Sequence, residues 1–227
     1  MLDGPRLPPS RAPATHLVVL CHGYGSDGND LIGLAPQWRA LLPGAAFVSP
    51  NAPERCSISP TGYQWFPLSR LDPHETLKGA EGAAPQLNAF LDEELKRLNL
   101  SGNRLALVGF SQGTMMSLHV GLRRAPQPAA IVGFSGMLVG AELLPRFEKA
   151  PPVLLTHGDA DTVIPPQALF MSANALAALG VPVQWHLSKG LGHGIDPPSL
   201  ALAGQFLADA FSGREPRTGP IAAPSLR

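Results

Sequence analysis

The stretch that decides the fold is Arg104-Leu-Ala-Leu-Val-Gly-Phe-Ser-Gln-Gly-Thr-Met-Met-Ser-Leu-His-Val-Gly-Leu-Arg-Arg124. Its first residues make a short apolar run with the character of a buried strand. After the turn, Met115, Leu118 and Leu122 fall at helical spacing. Between them stands Gly109-Phe-Ser-Gln-Gly113, a G-x-S-x-G pentapeptide. Strand, tight turn and helix are the setting of a nucleophile elbow, in which a strained backbone lifts the serine hydroxyl above a sheet. A Cβ at either flanking glycine would crowd the neighbouring strand or helix. The pentapeptide alone is a weak signal; its flanks give it weight.

Working outward, short apolar runs alternate with amphipathic stretches. Strands are predicted at His16–Cys21, Ala45–Ser49, Arg104–Gly109, Ala129–Phe134, Val153–His157 and Val183–Leu187. Helices are predicted at Leu31–Ala40, Gly82–Leu98, Gln112–Arg124, Pro166–Leu179 and Pro198–Phe211. This alternation implies an α/β class: a mostly parallel central sheet with helices on both faces, as in the α/β-hydrolase fold. The division expected is a flexible arm at 1–14, one hydrolase domain at 15–211 and a flexible tail at 212–227. The region 52–80 has no clear period and many turn residues, and it carries Tyr63, Trp65, Phe66 and Leu68. Such an insertion suits a lid or pocket wall, or a surface loop packing its own aromatics.

The bulk numbers narrow the class. A chain of 227 residues suffices for one domain with a full core. Seventeen basic residues balance seventeen acidic ones, so the electrostatic footprint of a nucleic-acid binder is missing. Two cysteines, Cys21 and Cys56, make no disulfide framework and suit a reducing compartment. No apolar run is long enough to span a membrane, and the first residues lack the apolar core of a signal peptide. A cytoplasmic enzyme is the expectation.

A serine hydroxyl needs a base to take its proton and an acid to orient that base. In an α/β-hydrolase the order along the chain is Ser, then Asp or Glu, then His. Both partners follow in order. Val153-Leu-Leu-Thr-His-Gly-Asp159-Ala-Asp161 runs from a strand into a turn, and Lys189-Gly-Leu-Gly-His193 is a glycine-rich loop after another strand. Each lies past the C-terminal end of a predicted strand, where open parallel sheets place their sites. Of the two aspartates, Asp159 at the strand end suits a turn brace. Asp161, further out, has the reach to meet a histidine from the next loop. His157 reads as structural, and His22 as a shaper of the first loop. For the oxyanion, one donor is the backbone N–H of Gln112. The other is assigned to Tyr24, in the loop His22-Gly-Tyr-Gly-Ser-Asp-Gly28. Phosphate-loop patterns are absent there. No spacing supports a metal site, and no cofactor is required.

Leu20-Cys-His-Gly-Tyr-Gly-Ser-Asp-Gly28, Ser49-Pro-Asn-Ala-Pro53, Gln64-Trp-Phe66, Gly109-Phe-Ser-Gln-Gly113, His157-Gly-Asp-Ala-Asp-Thr-Val-Ile-Pro165 and Gly192-His-Gly194 occur in that order. The set resembles the phospholipase/carboxylesterase family of small α/β-hydrolases, over roughly residues 15–211. The resemblance implies Ser111 as nucleophile, Asp161 as acid, His193 as base, and Tyr24 and Gln112 as backbone oxyanion donors. It also implies that the Trp65 segment lines the substrate cleft. Tyr24 departs from the leucine usual in thioesterase members. The pocket residues expected are Trp65, Phe66, Leu68, Met115 and Ile164. The function expected is a serine carboxylesterase acting on small-molecule esters of short to medium chain through an acyl-serine intermediate. Acyl thioesterase or lysophospholipase activity would use the same machinery. A non-catalytic binding protein on a hydrolase scaffold is the rival from another class. The stretch Phe134-Ser-Gly-Met-Leu-Val139 suits a pocket wall or a homodimer interface, and the sequence leaves both open.

Overall fold

The computed structural model describes residues 2–69 and 71–222. The strands are β1 (Arg6–Leu7), β2 (His16–Cys21), β3 (Ala45–Val48), β4 (Glu54–Arg55), β5 (Tyr63–Gln64), β6 (Leu105–Phe110), β7 (Ala130–Phe134), β8 (Val153–Gly158), β9 (Val183–Ser188) and β10 (Gly219–Pro220). The helices are α1 (Gly28–Ile32), α2 (Ala35–Trp38), α3 (Pro73–Leu98), α4 (Gln112–Gly121), α5 (Gln167–Ala178) and α6 (Pro197–Phe211). Eight strands form one sheet in the order β1-β3-β2-β6-β7-β8-β9-β10. All its pairings are parallel except β1 with β3.

The strands are continuous apolar runs because both faces are covered. Along β2 and β6, Leu17, Val19, Cys21, Leu105 and Leu107 join the core under α3, α4 and α5. Val18, Leu20, Ala106 and Val108 join the opposite core, with Trp38, Leu202 and Phe206 from α2 and α6. The chain passes from β2 to β3 on one side and returns to β6 on the other. The sheet order therefore reverses between β2 and β6, whose last pair is Cys21 with Gly109. Crevices at such reversals are where open α/β sheets bind ligands.

Four expectations need correction. The helix predicted at 31–40 is two short helices, α1 and α2, parted at Gly33 and Leu34. The helix predicted from Gly82 begins at Pro73, with the Asp72 carboxylate accepting from the N–H groups of His74 and Glu75. It runs through Gly79, Gly82 and Pro85, poor helix formers that hid its first turns. Tertiary packing overrides them: Phe66 lies where a Cβ on Gly79 would stand. The arm expected at 1–14 is instead tied down, with β1 on the sheet edge and Arg6 bonded to Glu94 of α3 at 2.7 and 3.0 Å. The tail expected at 212–227 supplies β10, and Ile221 donates to the Trp185 carbonyl at 2.9 Å; residues 223–227 lie outside the described residues. Two-residue edge strands carry too few side chains to show a period of two.

Candidate active site

Ser111 joins β6 to α4 with φ 53° and ψ −116°, a conformation that costs a non-glycine residue strain. The turn is held from below. The Ser111 N–H donates to the Phe134 carbonyl at 2.9 Å, and the Thr114 hydroxyl lies 2.8 and 2.9 Å from the carbonyls of Gly109 and Phe134. Both elbow glycines are demanded by close approach. A Cβ on Gly113 would stand 2.7 Å from the His22 carbonyl oxygen and closer still to that of Cys21, and one on Gly109 would strike the backbone of Gly113 and Thr114.

The loops after β8 and β9 meet because Gly158 lies against the carbonyls of Leu191 and Gly192. The Asp159 carboxylate accepts from the Gly190 N–H at 2.6 Å and so braces the two loops together. Asp161 is the aspartate that meets His193, with Nδ1 to Oδ2 at 2.8 Å. Its other oxygen accepts from the N–H groups of Val163 and Ile164 at 2.8 and 3.0 Å. Burial alone would raise this carboxyl above its ordinary range. The hydrogen bond from His193 and those from Ile164 and Val163 outweigh burial and hold it below that range. The carboxylate is ionised and only accepts, so the hydrogen of this bond sits on His193 Nδ1. The His193 ring packs beside Phe110, 5.0 Å between centroids, next to the elbow. Ser135 Oγ donates to the Gly194 carbonyl at 2.9 Å and ties the histidine loop to the end of β7.

The loop after β2 abuts the serine: a Cβ on Gly23 would lie 3.4 Å from Ser111 Cβ. His22 shapes it from a fully buried position. Its Nε2 accepts from the Ala52 N–H at 2.9 Å, so Nδ1 donates to the Gly23 carbonyl at 2.7 Å. Burial lowers the basicity of this ring and keeps it in the neutral form that the pairing needs. Among the described residues, no protein acceptor takes the backbone N–H of Tyr24 or that of Gln112.

Side-chain partnerships missed from the sequence complete the frame. Gln112 Oε1 accepts from the Trp65 N–H at 2.9 Å, and its Nε2 donates to the Phe66 carbonyl at 2.8 Å. The Trp65 indole N–H donates to the His22 carbonyl at 2.9 Å. His157 lies 3.1 Å from Asp161 Oδ2. The Gln112 and Trp65 bonds join residues 47, 46 and 43 apart and have no local spacing that a sequence could display.

Of the expected pocket residues, Trp65, Phe66, Met115 and Ile164 are each no more than 2% exposed, and Leu68 is half-buried. Trp65 and Phe66 line a cavity of about 380 Å³ between the 53–67 segment and α3. Trp65 also braces the first loop, and Ile164 acts through its backbone. An apolar groove of about 300 Å³ runs between the start of α3, the 137–142 segment and α5. It is lined by Thr76, Met137, Leu138, Val139, Met171 and Ala175, among others. One lining residue, Met137, follows Gly136, where a Cβ would come 2.7 Å from the Ser111 carbonyl oxygen.

An α/β-hydrolase sheet with a strained serine at its switch point and an Asp–His pair in the loops after β8 and β9 defines the class. The phospholipase/carboxylesterase family model matches residues 3–210, and the chain belongs to that family. It is 30% identical to acyl-protein thioesterase 1 of Neurospora crassa over 222 residues, covering 90% of this chain and 91% of that one. It is 29% identical to esterase YpfH of Escherichia coli over 215 residues, covering 90% of each. The crystal structure of esterase PE8 superposes with a TM-score of 0.86 at 46% identity, covering 92% of this chain and 99% of that one. The protein is an ester-cleaving serine hydrolase. Among the described residues, no helix is long and apolar enough to cross a membrane.

Proposed function

We propose that the protein is a carboxylesterase for short- to medium-chain esters, with Ser111 as nucleophile, His193 as base and Asp161 as orienting acid. The observation that carries this reading is the 2.8 Å bond from His193 Nδ1 to a buried Asp161, beside a serine at φ 53°. Ser111 Oγ attacks the acyl carbonyl while His193 Nε2 takes its proton. The oxyanion accepts from the N–H groups of Tyr24 and Gln112. His193 then protonates the departing alkoxide, leaving an acyl-Ser111. Water, deprotonated by the same imidazole, releases the acid.

The acyl chain is assigned to the groove between α3 and α5. Its apolar lining, and the position of Met137 next to Gly136, support that placement. Buried free thiols at Cys21 and Cys56 support a reducing, cytoplasmic setting. A second reading, acyl thioesterase, is favoured by the relative of that name at 30% identity. The test is a chain-length panel of p-nitrophenyl esters and acyl thioesters, run beside Ser111→Ala. Turnover by wild type that vanishes in Ser111→Ala is expected, with Met171→Trp shifting preference toward shorter chains. Wild-type turnover by Ser111→Ala would overturn the reading.

A further inference from the structure

His157 stands near the C-terminal end of β8, four residues before Asp161, and its side chain is fully buried. Its Nε2 lies 2.9 Å from the Ile164 carbonyl oxygen and 3.1 Å from Asp161 Oδ2. Both neighbours only accept, so Nε2 carries the ring hydrogen. The other nitrogen, Nδ1, is buried with no hydrogen-bond partner among the described residues. Orphaning a buried polar atom is unfavourable. An apolar side chain of similar size would fill the same space without that cost. What the imidazole adds is the Nε2–H, which donates to the Ile164 carbonyl and so fixes the residue whose N–H holds Asp161 Oδ1.

The bonds form a chain. Ile164 donates its N–H to Asp161 Oδ1 at 3.0 Å and accepts at its carbonyl from His157 Nε2, which lies 3.1 Å from Asp161 Oδ2 without donating to it. Val163 N–H adds a second donor on Oδ1. Backbone donors thus fix one carboxylate oxygen, and His193 donates to the other. The His193 side chain keeps 18% of its surface, whereas those of Asp161 and His157 keep none.

We infer that His157 is a positioning residue for acyl transfer: it anchors Ile164, whose N–H holds Asp161 Oδ1, so that Oδ2 presents a fixed lone pair to His193. The inference rests on the reading of Ser111, Asp161 and His193 as a triad. His157 touches no reacting atom and acts only through Ile164 and Asp161. Small misplacements of a catalytic group cost large factors in rate, which gives the contact its leverage.

The test compares two amides. The Nε2 of glutamine reaches close to where the histidine Nε2 stands, whereas asparagine ends one bond short. For p-nitrophenyl butyrate, His157→Asn is expected to lose kcat on the order of 10- to 100-fold with KM nearly unchanged, and His157→Gln to recover most of it. A role confined to packing would not separate the two amides in this way. A measurement on the unaltered protein stands beside them: ¹H–¹⁵N spectra of its imidazoles, with the His157 signals identified by their loss in His157→Gln, should show the hydrogen on Nε2. Equal kcat in the two variants, or a hydrogen on Nδ1, would overturn the inference. Turnover by Ser111→Ala would instead overturn the triad itself. An inactive Ser111→Ala beside a fully active His157→Asn would overturn only the positioning role.

Discussion

Asp161 receives three donors: Val163 N–H and Ile164 N–H on Oδ1, and the His193 ring on Oδ2. This division of donors explains what Asp161→Asn would do. The two backbone N–H groups demand an acceptor at Oδ1, so the amide oxygen must settle there. The amide NH₂ then faces His193, donor against donor, and the ring must present a lone pair at Nδ1. The hydrogen moves to Nε2, where it blocks proton acceptance from Ser111. A fall in kcat on the order of 10⁴-fold is expected, with the fold intact by circular dichroism. The pH dependence follows from the same bonds. The folded carboxyl sits below its ordinary range, so its contribution to stability is whole above that range and is lost as pH falls through the depressed value. Urea midpoints of wild type and Asp161→Asn should therefore converge in acid. At this scale the sequence was legible wherever a residue sits at a strand end: Asp159 braces, and Asp161 meets His193. It read His22 as a shaper of its loop but was silent on the Gln112 clamp and on Ala52 as the partner of His22, because those partners lie 47, 46 and 30 residues away.

Among the elements, the Trp65–Phe66 segment shows how an irregular stretch becomes rigid without periodicity. Its backbone is bolted to α4 by the Gln112 amide, and its indole to the loop after β2. Gln112→Ala would leave the Trp65 N–H and the Phe66 carbonyl buried without partners, at about 1–3 kcal/mol for each group that water cannot reach. The backbone N–H of residue 112 survives the change. We expect a clear drop in the urea midpoint, together with faster amide exchange across residues 63–68. Gln112→Glu should fall between, since it keeps the acceptor for Trp65 and loses the donor to Phe66. Six long strands and the body of each long helix were legible, because their apolar runs are continuous or helically spaced. The start of α3 was not: Gly79 stands there to admit Phe66, a packing reason with no local signature.

At the scale of the whole molecule, the sheet ends in two short terminal strands, and the ion pairs of β1 set how firmly one edge is closed. Glu94 is buried between Arg6 and Arg97, with contacts of 2.7 and 2.6 Å. Burial would raise its carboxyl, but the hydrogen bonds of the two arginines outweigh it and hold the group below its ordinary range. Both guanidinium groups keep more than a third of their surface, so screening limits the energy to about 1 kcal/mol for the Arg6 contact. Arg6→Ala should then lower the melting temperature by roughly 2–4 °C for a domain of this size. The site should be spared, since β3 and β2 stand between β1 and the strand that carries Ser111. Unchanged kcat/KM with faster exchange at Phe47 and Val48 is the expected pattern. Acid supplies the control. The Glu94 contribution is present above the ordinary carboxylate range and disappears as pH falls through its lowered value. The stability gap between wild type and Arg6→Ala should therefore narrow in acid and at high salt. A gap that ignores both would mean that β1 is held by its backbone ladder to β3, and that the ion pair is incidental to closing the edge.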